Sequence, residues 1–113
     1  MKSAPPIYTI YVAHILDDGS FKRDHGATRE RTWGWFAELP VAEDFMLNNM
    51  TDIFECGYYN VGLIEEFPQG VLVATTRRWW FRGTFIVGPG NKTVVERMWE
   101  PYWAVGITNW AMG

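Results

Sequence analysis

Two tryptophans and a phenylalanine lie between three arginines in the stretch TRRWWFRG, Thr76 to Gly83. If this stretch is a β-strand, Arg78, Trp80 and Arg82 share one face of the sheet. The alternate residues Arg77, Trp79 and Phe81 share the other face, which is directed to the core apart from Arg77. A guanidinium group binds phosphate or carboxylate through paired hydrogen bonds, and an indole stacks on a base or on another guanidinium. The spacing therefore predicts a face that binds an anion with a planar ring. The alternative is that the arginines lie over the sheet and pair with glutamates.

A second set of the same residue types alternates at Arg29, Arg31, Trp33 and Trp35. In a strand this spacing again places guanidinium and indole groups on one side. Two such alternations in a short chain are harder to explain by chance than one. We therefore assign both sets to ligand binding.

Polar residues between the two sets complete the predicted site. Asn49 and Asp52, in the stretch NNMTDIFE, can orient a polar ligand or can simply cap a helix and shape a turn. Glu65 and Glu66 are adjacent, so on a strand they point to opposite faces, and we expect one to be inward and functional and the other solvated. The predicted ligand-binding residues are Arg29, Arg31, Trp33, Trp35, Asn49, Asp52, Glu65, Arg78, Trp80 and Arg82.

Catalytic and metal-binding patterns are weaker. His14 and His25 are the only histidines, and their spacing is not the tight His-x-His or Cys-x-x-Cys spacing of a metal site. His14 lies in an apolar segment, which favours a hydrogen-bonded core histidine. Cys56 is the single cysteine, and its neighbours favour a small buried residue over a nucleophile. We expect no catalytic residue, no metal and no cofactor.

The elements that would position these residues are mostly strands. Ile7 to Leu16 is apolar in both alternating sets, which predicts a central strand covered on both faces. Phe21 to Arg31 is polar and without a pattern, which indicates a loop. Further strands are predicted up to Phe36, over Tyr58 to Phe67, over Val71 to Val87 (as one strand or as two broken near Gly83), over Thr93 to Trp99 and over Trp103 to Trp110, with a turn at Gly88 to Asn91.

One short helix is predicted from Pro40, because proline is tolerated at the first helical position, to about Asn48. Helical spacing groups one face, with the residues Val41, Ala42, Phe45, Met46 and Asn49. The fold class is therefore α+β: a single compact domain over residues 1–113, with a mostly antiparallel five- or six-stranded sheet and one short helix packed on a face.

Composition narrows the function further. The chain has 113 residues, 48% of them hydrophobic, which is enough for one core. Its net charge of −3 argues against broad binding to nucleic acid. No apolar stretch near its start is long enough to span a bilayer, and a lone cysteine suits a reducing compartment, so we expect no membrane partner and a cytoplasmic location. Seven Trp, seven Phe and five Tyr exceed what a small core usually needs.

The run TRERTWGWFAELPVAEDFMLNNMTDIFECGYYNVGLIEEFPQG resembles a family of small proteins from phages and bacterial genomes. The similarity covers roughly residues 28–70, with a weaker echo in the closing NWAMG. Its motif positions are Arg29, Gly34, Trp35, Asn49, Thr51, Asp52, Glu55, Tyr59 and Glu65. The resemblance implies no activity. It implies a compact accessory protein that is encoded by a phage and works in the cytosol of the host cell.

Together these features predict a non-enzymatic binding protein that sequesters a small anionic ligand, such as a signalling nucleotide, and so antagonises host defence. The alternative is a protein-binding inhibitor of a host enzyme or effector, because interfaces are enriched in Trp, Tyr, Met and Arg. A small hydrolase or metal enzyme is the third hypothesis. The aromatic excess also predicts a homo-oligomer, most simply a dimer, since large exposed apolar patches usually mark contacts.

Overall fold

The computed structural model describes residues 5–68 and 77–99. It is an antiparallel five-stranded sheet in the order β4-β1-β5-β6-β7, with one α-helix on one face and a separate two-stranded ribbon, β2-β3. This confirms the predicted α+β class. The elements are β1 Ile7–Ala13, β2 Arg23–Asp24, β3 Ala27–Thr28, β4 Glu30–Phe36, α1 Leu39–Leu47, the 3₁₀ turns Met50–Asp52 and Glu55–Gly57, β5 Val61–Phe67, β6 Arg77–Ile86 and β7 Lys92–Met98.

The sheet buries side chains on both of its faces. On the helix side, Ile10 and Val12 of β1 pack with Phe81 of β6, while on the opposite side, which we call the far face, Tyr11 packs with Trp80. Strand β1 lies between β4 and β5, so the prediction of a central strand covered on both faces is confirmed. It ends at Ala13, three residues earlier than predicted.

Helix α1 is held to the sheet by small residues at close approaches. Its buried side chains are Ala42 and Met46, as the helical spacing predicted, whereas Val41 is 45% exposed. Met46 packs directly over Gly62 of β5. None of the helices in the described residues is long and apolar enough to cross a membrane.

The predicted loop over Phe21 to Arg31 is wrong, because the ribbon β2-β3 and the start of β4 lie within it. The turn of the ribbon, His25-Gly26, has φ values of 52° and 86°. Positive φ at both central residues is the geometry that joins two strands by a two-residue turn. Histidine at the first turn position is only a weak sequence signal for a two-residue turn. The polar composition of the segment therefore favours a loop when the sequence is considered alone.

Strand β6 runs through Gly83 without a break. Over the described part of Val71 to Val87, the chain therefore forms one strand and not two. The segment 71–76 and the predicted strand Trp103 to Trp110 lie outside the described residues. The turn at Gly88 to Asn91 joins β6 to β7 as predicted.

We predict that Gly83→Ala destabilises the fold by about 1–3 kcal/mol, the usual cost of overpacking a core. A Cβ at this position would lie 2.5 Å from Cδ1 of Phe54, a ring that is fully buried and cannot yield. Gly88→Ala is the matched control, because its Cβ meets no atom within 4 Å. Urea unfolding measures both; equal midpoints for the two variants would contradict this account of the packing.

Candidate functional site

A notch opens at the edge of the sheet where β7 ends. The pairing of the two last strands stops at Trp80 opposite Met98, whereas β6 begins three residues earlier, at Arg77. The notch is a cavity of about 400 Å³. Its lining comes from both faces of the sheet and consists of Arg78, Trp79, Trp80, Arg97, Met98 and Trp99, a set that we call the Arg–Trp notch.

Both arginines of the notch are oriented by carboxylates. Arg78 Nε donates to Oε2 of Glu65 at 3.2 Å, and Arg97 forms an ion pair with Glu43 of α1 while lying 5.9 Å from the ring of Phe81. A guanidinium carries its N–H donors in a fixed planar array, so an ion pair with a carboxylate sets the direction of the whole group. The arrangement suits an anion that arrives from solvent.

The three indoles of the notch differ greatly in exposure. Trp99 is 91% exposed, Trp79 is half-buried beside Tyr8, and Trp80 is buried in the core of the far face. The expectation that Trp80 stands on an open binding face is therefore wrong, because that face is itself packed. Trp99 is the indole that a planar ligand can stack on.

Glu65 and Glu66 are both buried, which corrects the expectation that one is solvated. They do point to opposite faces: Glu65 accepts from Arg78, and Glu66 accepts from Nε of Arg77 at 3.2 Å and from the hydroxyl of Tyr8 at 3.1 Å. Burial, and the bond to Glu66, raise the pKa of Tyr8. Glu65 is fully buried, so its place is beneath Arg78 and not against solvent.

The second arginine–tryptophan set lies at the other edge of the sheet. Strands β4 and β6 are separated by β1 and β5, which places them roughly 14 Å apart at about 4.8 Å per strand. The ten predicted residues therefore do not form one site. Arg82, although on β6, is also outside the lining of the notch.

A β-bulge divides this second set between the two faces. The register of β4 against β1 shifts at the bulge, which leaves Trp33 packed against the helix-side core and turns Trp35 to the far face, 63% exposed. The expected alternation on one side is thus wrong. Arg31 lies 4.4 Å from the ring of Trp33 and 3.4 Å from Oε2 of Glu55, on the helix side.

Arg29, Asp24 and Tyr58 form a clamp of three side chains. Nε and Nη2 of Arg29 donate to the two oxygens of Asp24 at 2.7 and 2.9 Å, and its guanidinium lies 3.9 Å from the ring centre of Tyr58. The Tyr58 hydroxyl also donates to Asp24, at 2.5 Å. These bonds hold the pKa of Asp24 well below its usual range. The clamp fastens the ribbon to the segment before β5.

Asn49 and Asp52 line a second, more open cleft of about 360 Å³, but their side chains bond mainly within their own segment. Asn49 accepts from the backbone N–H of Phe54 at 3.0 Å and donates to Asp52 at 3.1 Å. The thiol of Cys56 donates to Asp52, which raises the pKa of that thiol. Cys56 is exposed, so the expectation of a buried cysteine is wrong. The turn-shaping alternative describes these contacts.

His14 is part of the clamp region and lies outside both cavities. Its Nδ1 is 3.1 Å from the backbone oxygen of Tyr58, and its side chain is half-buried. The interpretation as a hydrogen-bonded histidine holds, although the residue sits at the margin of the core.

The sequence pattern missed four of the six residues that line the notch. Arg97 and Trp99 carry the same Arg-x-Trp spacing as Arg31 and Trp33, and that repeat in the stretch VVERMWE could have identified them. Trp79 was assigned to the core because of strand alternation, yet the end of β7 leaves it at the notch.

Comparison of the chain with protein families, with curated proteins and with solved structures found no match. Of the two cavities described above, the notch alone joins arginine and tryptophan side chains in one space.

We predict that Asp24→Asn lowers the melting temperature by a few degrees at neutral pH. Because the pKa of Asp24 is depressed in the folded protein, its charge contributes fully to the free energy of unfolding above about pH 4, the pKa range of an unfolded aspartate. This contribution is lost as the pH falls through the folded pKa. The variant lacks this contribution, so its melting temperature should converge with that of the wild type in acid. Thermal melts from pH 2 to pH 7 measure this, with Asp44→Asn, on the exposed surface of α1, as the control. A constant gap across the range would refute the role of the Asp24 charge.

Proposed function

We propose that the protein is a non-enzymatic binding protein that holds a small anionic ligand with a planar ring, such as a signalling nucleotide, in the Arg–Trp notch. The observation that carries the proposal is the joint placement of two guanidinium groups and an exposed indole around one cavity of about 400 Å³. Cavities of about 300–1,000 Å³ are the usual size of small-molecule sites.

The ring and the charge of such a ligand would be bound by different groups. The open face of Trp99 accepts a base, and base–aromatic stacking is worth about 1–3 kcal/mol. Arg97, already aligned by Glu43, would present N–H groups to a phosphate, and Arg78, aligned by Glu65, would add a second positive charge to the same cavity. His14 and Cys56, which a hydrolase could use, lie outside the notch. Sequestration without turnover is the function that fits this division.

The biological setting that we propose is antagonism of host defence by a phage accessory protein in the host cytosol. Its support is the resemblance described above, together with a site suited to a small anion. A protein that withdraws a signalling nucleotide needs affinity and abundance, not catalysis.

A direct protein-binding inhibitor of a host enzyme or effector is the second candidate. The observation that favours it is the exposure of large apolar side chains, above all Trp99 at 91% and Trp35 at 63%. Exposed tryptophans are typical anchors of protein interfaces. The same exposure supports self-association of the chain as a homo-oligomer, most simply a dimer.

We predict that Trp99→Ala weakens binding of the ligand roughly tenfold or more, the loss expected when one stacked ring is removed. Because Trp99 is almost wholly exposed in a single copy of the chain, the melting temperature of the variant monomer should stay within about 1 °C of the wild type. Isothermal titration with a panel of cyclic and linear nucleotides measures the affinity. Arg78→Ala is a poor probe, because it would leave the carboxylate of Glu65 buried without this guanidinium.

Trp35→Ala is the matched control, since it removes a second exposed indole from the opposite edge of the sheet. It should leave nucleotide affinity unchanged. Mass spectrometry of whatever co-purifies separates the two candidates: a small molecule released on heating supports sequestration, and a stoichiometric host protein supports inhibition. If no nucleotide binds and no small molecule is released, the sequestration proposal fails.

A further inference from the structure

In the part of the chain that the structure describes, strand β7 lies at an edge of the sheet. Within residues 5–68 and 77–99 it is bonded on one side only, to β6, through seven consecutive pairs without a register shift. Its sequence from Lys92 to Met98 contains no proline or glycine. An edge strand of this kind can be a template for another strand. The other edge strand, β4, carries the bulge at Trp33, a feature that discourages pairing.

We propose that two copies of the chain join edge to edge through β7, antiparallel, around a two-fold axis that passes through Val94. A two-fold axis perpendicular to the sheet pairs two identical strands in opposite directions and keeps like faces together. The register is then fixed by the residue on the axis. The outcome is one continuous ten-stranded sheet.

Charge selects this register among those that the symmetry allows. With Val94 on the axis, Lys92 of each copy lies opposite Glu96 of the other, which gives two ion pairs per dimer. With Val95 on the axis, Lys92 lies opposite Met98 and no unlike charges meet. With Glu96 on the axis, the two Glu96 carboxylates face each other. Lys92 and Glu96 are the charged side chains that β7 places on the far face. Of these three registers, only the one with Val94 on the axis pairs both of them with an unlike charge.

The same register covers the most exposed apolar residues. Trp99 and Val87 are 91% and 79% exposed, more than any other large hydrophobic residue in the described part of the chain. Extended by one residue beyond the strand, the register places Trp99 opposite Pro89 of the second copy, with Val87 as its diagonal neighbour. Because of the symmetry this contact forms twice. Burial of apolar surface favours association at roughly 25 cal/mol per Å² before the costs of binding.

The dimer would also alter the Arg–Trp notch. The turn Gly88 to Asn91 of the second copy would lie beside Trp99 and narrow the mouth of the cavity. The dimer does not depend on the ligand, however, because the strand pairing, the charges and the apolar contact exist without it. Failure of nucleotide binding therefore leaves this inference standing.

Charge exchange between two variants tests the register. Light scattering of the wild type at micromolar concentration should give about twice the chain mass of 13.1 kDa. Lys92→Glu puts like charges opposite each other at both ends, as does Glu96→Lys, so each variant alone should have a dimer dissociation constant raised at least tenfold. An equimolar mixture should dimerise again, because positions 92 and 96 are both acidic in the first variant and both basic in the second, so that unlike charges meet at both ends of the mixed dimer.

Recovery on mixing cannot come from misfolded chains, and it separates the dimer interface from any loss of monomer stability beside Arg82, the neighbour of Glu96 on β6. Glu38→Lys carries the same charge change next to the other edge of the sheet and should dimerise like the wild type. A wild-type mass near 13.1 kDa overturns the dimer. A dimer that both variants preserve, or a mixture that stays monomeric, overturns the Val94 register.

Discussion

Strand β5 is buried along its whole length, yet it contains two carboxylates, and this constraint governs the architecture around it. A buried carboxylate is costly unless a cation and further donors satisfy it. Two successive arginines at the start of β6 meet the two successive glutamates, one pair on each face of the sheet. That match is specific to one register of β6 against β5. It therefore also sets where Trp79 and Trp80 stand and where β7, paired to β6, comes to an end.

The arginines of the chain have two different roles. In the clamp, Arg29 has its charge shared by Asp24 and its face covered by Tyr58, so it ties two segments together. At the notch, Arg97 is tied at one nitrogen to Glu43 and remains substantially exposed. Because Glu43 already balances the charge of Arg97, the main contribution of Arg97 to binding an anion would be to orient it through pre-aligned N–H donors. Ring stacking would then supply a large part of the affinity. This fits a protein whose net charge of −3 does not attract anions.

Local patterns in the sequence were sufficient for much of the fold. The doubly apolar β1, the proline at the start of α1 and the glycine-rich turn before β7 each follow from chemistry within a few residues. The site was harder because its parts come from separate strands. The bulge at Trp33 divides the second arginine–tryptophan set between the two faces, and Arg97 joins the notch only through the pairing of β6 with β7. Glu66 kept its burial through Arg77, a partner eleven residues away. Such effects depend on register, which alternation alone does not determine.

The position of β1 has a consequence for how the chain reaches this structure. It precedes its two neighbours in the chain, and Ile7 pairs with Phe67, so its ladder with β5 cannot be completed until residue 67 has been synthesised. During that interval the far face of β1 lacks Leu63 and Trp80, with which Tyr11 packs. Pairing between distant segments is slow to form, and unpaired apolar strands are prone to aggregate. Strand β1 thus leaves the ribosome well before β5, which covers one of its edges, and the nascent chain is most prone to aggregate just before β5 emerges.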